Sequence, residues 1–421
     1  MKALSFAAIF LVLVGCSDNS SNTQATSEAE APAAPSAEEI HAAAIVIDAH
    51  ADVEIPGEES RYVGGDGKSK VEPEKMRKGQ VDAVVMAIAV GPKPRNEQGY
   101  LEAKTQADKE LAAVLSFVDD ETNNLVLAKS SNDIKEAHEA GKGSLILGFQ
   151  NAIILGEDDT LIDTYFESGV RVFALTHMGH NDFADSSRPL YVAEIGDHEP
   201  EEEHGGLSDK GRAAVDKLNQ LGAVIDISQL SKNAALEVIE RSNSPVIASH
   251  SNVRALTDVS RNLSDEEIDA LAAKGGVLHI APFRGYLFDS TDPQLDKDIR
   301  AARIKAGIKE DSYYPFELYW EIEDPEIQQA FLSEVSGLLG PGSIPAMVNH
   351  IDYVVQRVGV DHVGIGTDFN HGSGVNGYND ASEALNVTKA LLERGYSSDD
   401  IEKIWGGNFL RVFETAVVVS D

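Results

Sequence analysis

Short apolar runs alternate with longer amphipathic stretches from His41 to the C-terminal region, and this alternation restricts the fold more than any other feature. The candidate strands are Ala43–Asp48, Val81–Val90, Ser144–Phe149, Val170–Leu175, Val224–Ile227, Val246–Ser249, Gly276–Ile280 and His362–Gly366. They are β-branched or aliphatic nearly throughout, as strands buried on both faces should be. Asp209–Leu221, Lys232–Ser242 and Asp265–Lys274 carry apolar residues at helical spacing, and Ser208, Ser231 and Ser264 stand before them as N-caps. Eight strand–helix units predict an α/β fold, a (β/α)8 TIM-type barrel. The stretch Gly285–Pro345 is too long for a plain connection. It reads as a helical insertion near the C-terminal face, with Pro325–Leu339 its clearest helix.

In such a barrel the active site lies at the carboxyl ends of the strands, and unusual polar residues fall there. His50 and Asp52 follow the first strand, Gln150 the third, His177 the fourth, Gln229 the fifth, His250 the sixth and Asp368 the eighth. Taken singly, each is an ordinary turn or buried polar residue. Their convergence on one rim is not ordinary. Imidazole and carboxylate are the ligands a hard or borderline cation such as Zn²⁺ prefers.

Composition removes other functions. Lys and Arg number 35 against 70 Asp and Glu in 421 residues, a formal net charge of −35. A chain this acidic lacks the cationic face that nucleic acid requires. One cysteine excludes an internal disulfide framework and a cysteine zinc knuckle. That cysteine sits in an address segment. Lys2, the apolar run Ala3–Val14 and Leu13-Val14-Gly15-Cys16 read as a lipoprotein signal over residues 1–16, with Cys16 the lipidated residue. Residues 17–39, rich in Ser, Ala, Pro and Glu, read as a flexible tether, and 40–417 as the barrel. The expected location is outside the cytoplasm, lipid-anchored to a bacterial membrane and facing the periplasm.

Several motifs together resemble one family, the membrane (renal-type) dipeptidases, zinc peptidases with an amidohydrolase-like barrel. They are His50-Ala51-Asp52, Thr176-His177, Gly206-Leu207-Ser208, Ser249-His250-Ser251, Ser260-Arg261-Asn262, His350-Ile351-Asp352-Tyr353-Val354, the Gly364–Phe369 run and Gly406-Gly407-Asn408-Phe409-Leu410. The resemblance implies a two-metal centre that activates water against the peptide carbonyl. One metal takes His50, Asp52 and Asp368. The other takes histidines after strands five and six, and a glutamate after strand three bridges the two. His177 is implied to bind or polarise the substrate, and Arg261 to pair with its free carboxylate. A homodimer is implied as well.

This chain departs at two of those positions. Gln150 stands for the bridging glutamate and Gln229 for the strand-five histidine. An amide oxygen is a neutral, weak zinc ligand. Asp52 and Asp368 alone balance one divalent ion, so one firmly bound Zn²⁺ is expected on His50, Asp52 and Asp368. A second, left to His250, is expected to be weak or absent unless His180 or His371 substitutes. Asp368 is then the general base, with His177 and His250 stabilising the oxyanion. The leading expectation is a metal-dependent dipeptidase. The alternatives are a diverged barrel acting on another periplasmic peptide-like substrate and a non-catalytic, lipid-anchored binding protein.

Overall fold

The computed structural model describes residues 34–158, 160–192, 195–308, 322 and 324–419. Cys16, the signal and most of the tether lie outside them. The barrel strands are β1 Ile47–Asp52, β2 Ala83–Ala89, β3 Gly143–Gln150, β4 Val170–Ala174, β5 Val224–Asp226, β6 Ile247–Ser251, β7 Val277–Ile280 and β8 Val363–Ile365. They neighbour one another in sequence order, and every pairing is parallel. The barrel closes between β8 and β1. There the Asp368 N–H donates to the His50 carbonyl at 2.8 Å and the Asp52 N–H to the Phe369 carbonyl at 2.9 Å. Among the described residues no helix is long and apolar enough to cross a membrane.

The helices at Asp209–Leu221, Lys232–Arg241 and Asp265–Ala273 begin as expected. The hydroxyls of Ser208, Ser231 and Ser264 accept from Gly211, Ala234 and Glu267 N–H groups, satisfying donors that the first turn leaves open. In the insertion, Pro325–Leu339 is a helix as drawn and packs beside Pro293–Lys305 around a small core that includes Ala302, Phe331 and Val335.

Two boundaries differ from expectation. A helix occupies Ala37–Ala43, beginning within the last residues of the stretch assigned to the tether and running into the stretch assigned to the barrel. Ser36 and Glu39 close a capping box on it, a local polar signal that apolar content does not register. The first strand therefore runs Ile47–Asp52, later than the Ala43–Asp48 reading, with a register shift between Asp48 and Ala51. His50 and Asp52 are thus within the strand rather than beyond it. A short strand at Leu125–Leu127, paired with the start of β3, was not anticipated.

Opposite the rim, the helix Asn408–Val419 stoppers the barrel. Its Phe409, Val412 and Phe413 pack with inward residues such as Ile47, Val85 and Ile247. The glycine motif before it has a steric cause: a Cβ on Gly406 would lie 2.0 Å from the Ile45 carbonyl oxygen. Gly366 is bound in the same way, since its Cβ would meet the Ser249 oxygen at 1.8 Å. That close approach draws the end of β8 against β6, and so brings Asp368 towards His250.

Candidate metal centre

The closing seam is held by residues other than the candidate ligands. Asp48, buried under the rim, accepts from Thr367 N–H at 2.7 Å and from its hydroxyl at 2.6 Å. Burial pushes the Asp48 carboxyl up to about 6, and the Thr367 hydrogen bonds act against that rise. Asp368 follows with φ of 55° and Gln229 has φ of 70°, both left-handed. For non-glycine residues that conformation costs on the order of 1–3 kcal/mol and is kept where surrounding structure enforces it.

The groups that come together are His50, His250 and Asp368. One ligand atom from each lies within 4.8 Å of the others, and all three residues are buried. The two imidazoles stack at 3.7 Å with an interplanar angle of 24°. Beneath them Ser249 Oγ lies 2.8 Å from His250 Nδ1 and 3.4 Å from His50 Nδ1, and its hydroxyl donates to Asp226 Oδ2 at 2.5 Å. Because that proton goes to Asp226, the hydroxyl oxygen accepts from imidazole. The network assigns the His250 proton to Nδ1 and leaves its Nε2 lone pair facing the rim. Burial, helped by the charges of His50 and Arg261, holds the His250 pKa well below the ordinary value. Neutral imidazole is the form that ligates metal, and His250 is held in it; at His50 burial acts the same way but Asp52 and Asp368 overcome it and raise the pKa, so a cation there would displace a proton. Two imidazoles, a carboxylate and an oriented second layer fit a zinc-type cation.

Asp52 lies beside His50, as expected, and touches His371 as well. Its Oδ1 lies 3.2 Å from His50 Nε2 and its Oδ2 accepts from His371 Nδ1 at 2.7 Å. Burial alone would raise its pKa, but His371 and His50 prevail and hold it low. His371 is correspondingly raised: burial opposes its charge, and Asp52 and Asp368 overcome that. Burial first, then the like charge of Asp52, raises Asp368, with His371 and His50 opposing. The geometry therefore groups His250 with His50 and Asp368, and sets Asp52 between His50 and His371. Of the two proposed substitutes, only His371 is at the site. His180 is held in its loop, with Nε2 2.7 Å from the Pro200 oxygen and Nδ1 accepting from Ser186 N–H at 3.1 Å.

The two amides do reach His250. Gln150 Nε2 and Gln229 Nε2 lie 3.4 and 3.3 Å from His250 Nε2. His177 is buried with its ring 5.3 Å from that of His371, and burial, then the charges of His371 and Arg188, keep it neutral. Arg261 is buried behind His250, donating from Nη2 to the His250 carbonyl at 2.9 Å and from Nη1 to Ser251 Oγ at 3.3 Å. Sequence reasoning missed Arg188, Ser249 and Asp226. For the last two a signal existed: Asp226 ends β5 three residues before Gln229, and Ser249 precedes His250 on β6.

The sequence profile of the membrane dipeptidases, peptidase family M19, matches residues 35–421. This chain belongs to the membrane dipeptidase family. It shares the family's barrel and its chemistry, the metal-dependent hydrolysis of dipeptides. Among membrane dipeptidase relatives, dipeptidase aclJ of Aspergillus oryzae is 29% identical over 343 residues, covering 80% of this chain and 68% of its own. Dipeptidase tcpJ of Claviceps purpurea is 26% identical over 348 residues, covering 81% and 68%. The crystal structure of the probable dipeptidase PvdM from Pseudomonas aeruginosa superposes with a TM-score of 0.81 at 36% identity, over 91% of this chain and 98% of that one. A Rhodobacter sphaeroides metallo peptidase, solved with a phosphinate mimic of the dipeptide L-Ala-D-Ala, shares the fold with a TM-score of 0.67 at 18% identity, over 88% and 99%.

Proposed function

We propose that this membrane dipeptidase-family chain hydrolyses dipeptides or similar small peptides with a single Zn²⁺ held by His50, His250 and Asp368. The observation that carries this reading is the convergence of those three buried side chains within 4.8 Å at the strand ends. When bound, the ion supplies Lewis acidity towards a carbonyl oxygen and lowers the pKa of water towards neutrality.

The chain's own residues do the rest. Asp368, buried among these residues, would be the carboxylate that accepts a proton from the attacking water. His177, neutral and buried, offers an imidazole N–H to the carbonyl oxygen as charge grows there. Arg261 is the cation assigned to the substrate's free carboxylate, its plane fixed by His250 and Ser251. The Asp52–His371 pair keeps Asp52 ionised beside the ligands without adding net negative charge.

The amides at 150 and 229 favour a second reading, in which the barrel's preferred substrate is another periplasmic peptide-like molecule. Zinc analysis of the full chain and assay of a dipeptide panel with and without chelator separate the readings. One equivalent of zinc and chelator-sensitive hydrolysis support the first. One equivalent without dipeptide turnover supports the second, and no bound metal overturns the first. Lipidation at Cys16, a periplasm-facing anchor and a homodimer complete the proposal. Cys16→Ser is expected to release the protein from the membrane fraction, and sedimentation measures the dimer.

A further inference from the structure

Between the loops that follow β2, β3 and β4 lies a cavity of about 170 Å³ that the proposed reaction does not use. None of the candidate metal ligands lines it. Its floor is a pair of amides. Asn151, with a left-handed φ of 87°, donates from Nδ2 to the Val90 carbonyl at 2.8 Å and accepts at Oδ1 from Asn181 Nδ2 at 3.0 Å. Asn181 Nδ2 also donates to the Leu175 carbonyl at 2.7 Å. The three loops are thereby tied together, and the ties keep a non-glycine residue in that conformation. Arg95, also on the lining, grips Glu203 through hydrogen bonds of 2.9 and 2.7 Å, so its charge is matched.

Two other charges face the cavity. Lys93, partly buried, makes no hydrogen bond or ion pair with any described residue. Glu199, on the loop after β4, accepts from His180 N–H at 3.1 Å and Leu190 N–H at 2.9 Å, both at Oε2. Its Oε1 accepts from no described residue, and no ion pair joins it to Lys93. The lining also includes the apolar Met178 and Leu190. An ammonium and a carboxylate that share a cavity without pairing are the complement of a zwitterion. The space would hold about five or six waters, which is the scale of one amino acid. Hydrolysis of a dipeptide releases two amino acids.

We propose that this cavity binds a free α-amino acid, its carboxylate on Lys93, its ammonium on Glu199 Oε1 and its side chain against Met178 and Leu190. Asn151 directly follows Gln150 and Met178 directly follows His177. The chain thus holds a product of its reaction against the segments that lead into the centre.

Equilibrium dialysis of labelled L-alanine against the zinc-loaded full chain tests this, with Lys93→Met and Glu199→Gln as variants. Lys93 has no hydrogen bond or ion pair to lose, and a glutamine oxygen at 199 still accepts from both N–H groups, so the walls stay in place. Wild type is expected to bind L-alanine, and each variant to bind it about tenfold more weakly or worse, as the loss of a charged hydrogen-bond partner dictates. Propionate and ethylamine, each carrying one of the two charges, are expected to bind wild type at least tenfold more weakly than L-alanine. L-alanine held equally by wild type and both variants overturns the proposal, since it then sits elsewhere, on the metal for example. No binding to wild type overturns it too, as does propionate or ethylamine binding as tightly as L-alanine. Because binding is read without turnover, a chain that fails the one-zinc reading still tests this site.

Discussion

Asp52 and His371 meet at 2.7 Å across 319 positions of the chain, joining the first strand to the loop after the last. Tyr62 stacks on the outer side of His371 at 5.3 Å. The pair holds Asp52 as a carboxylate in a buried place, and its partner is only partly covered, with a side chain 28% exposed.

Removing His371 leaves that carboxylate without its closest counter-charge. In metal-free protein, His371→Ala is expected to lower stability by about 1–3 kcal/mol, below the cost of breaking a fully buried pair. His371→Asn, whose amide N–H can reach the same oxygen, is expected to recover part of the loss. Urea unfolding of the three proteins checks this. Equal midpoints for wild type and His371→Ala would show the pair contributes nothing.

Ser249 orients two ligands through one hydroxyl. Ser249→Ala is expected to weaken zinc binding by about 10–100-fold, since second-layer partners of ligating histidines have effects of that size. It should do so with little change in the circular dichroism spectrum. Competition against a chromogenic chelator measures the affinity, and unchanged zinc affinity would refute the orienting role.

Glu110 carries a pH dependence remote from the metal ligands. It is buried on the helix Glu97–Asp119, accepting from Ala89 N–H at 2.7 Å and from Gln106 Nε2 at 2.9 Å. Burial pushes its carboxyl up to about 8, and the Gln106 hydrogen bond acts against the rise. A carboxyl raised on folding contributes stability that is fully present below its unfolded pKa and is lost as pH rises through the folded value. Wild type is therefore expected to lose on the order of 2 kcal/mol relative to Glu110→Gln between pH 5 and about pH 9. Denaturation midpoints of both proteins at the two pH values test it, and parallel profiles would contradict it.

Gly366→Ala places a methyl 1.8 Å from the Ser249 carbonyl oxygen. The expected loss is about 3 kcal/mol or more, at the upper end of overpacking effects. Gly337→Ala is the control, in the helix Pro325–Leu339 with nothing within 4 Å of the added carbon. It is expected to be neutral or to stabilise by up to about 1 kcal/mol. Thermal melts distinguish the two, and a tolerated Gly366→Ala would mean that the β6–β8 approach can relax.

The fold was legible because its determinants are local. Strand runs such as Val170–Ala174 and serine caps such as Ser208 announce themselves within a few residues. The first strand was misplaced because Ala43–Ile45 is apolar for another reason: it ends a helix that packs on the barrel. The positions of the site residues were legible from the strand ends. Their grouping was not. The register shift after Asp48 and the left-handed backbone at Gln229 and Asp368 aim the side chains, and neither feature leaves a compositional trace. Arg188 escaped notice because it sits in a loop whose path depends on hydrogen bonds to His177 and Gln229.

The two backbone bonds that close the barrel run between the segments that carry His50, Asp52 and Asp368. Occupancy of the site is thereby wired to the last seam of the sheet. An ion that grips His50 and Asp368 also clamps strand eight to strand one, so loading should slow amide exchange at Asp52 and Asp368 more than elsewhere in the sheet. Gln150, at the end of β3, and Gln229, in the loop after β5, stand away from that seam and bring no ligand charge to it.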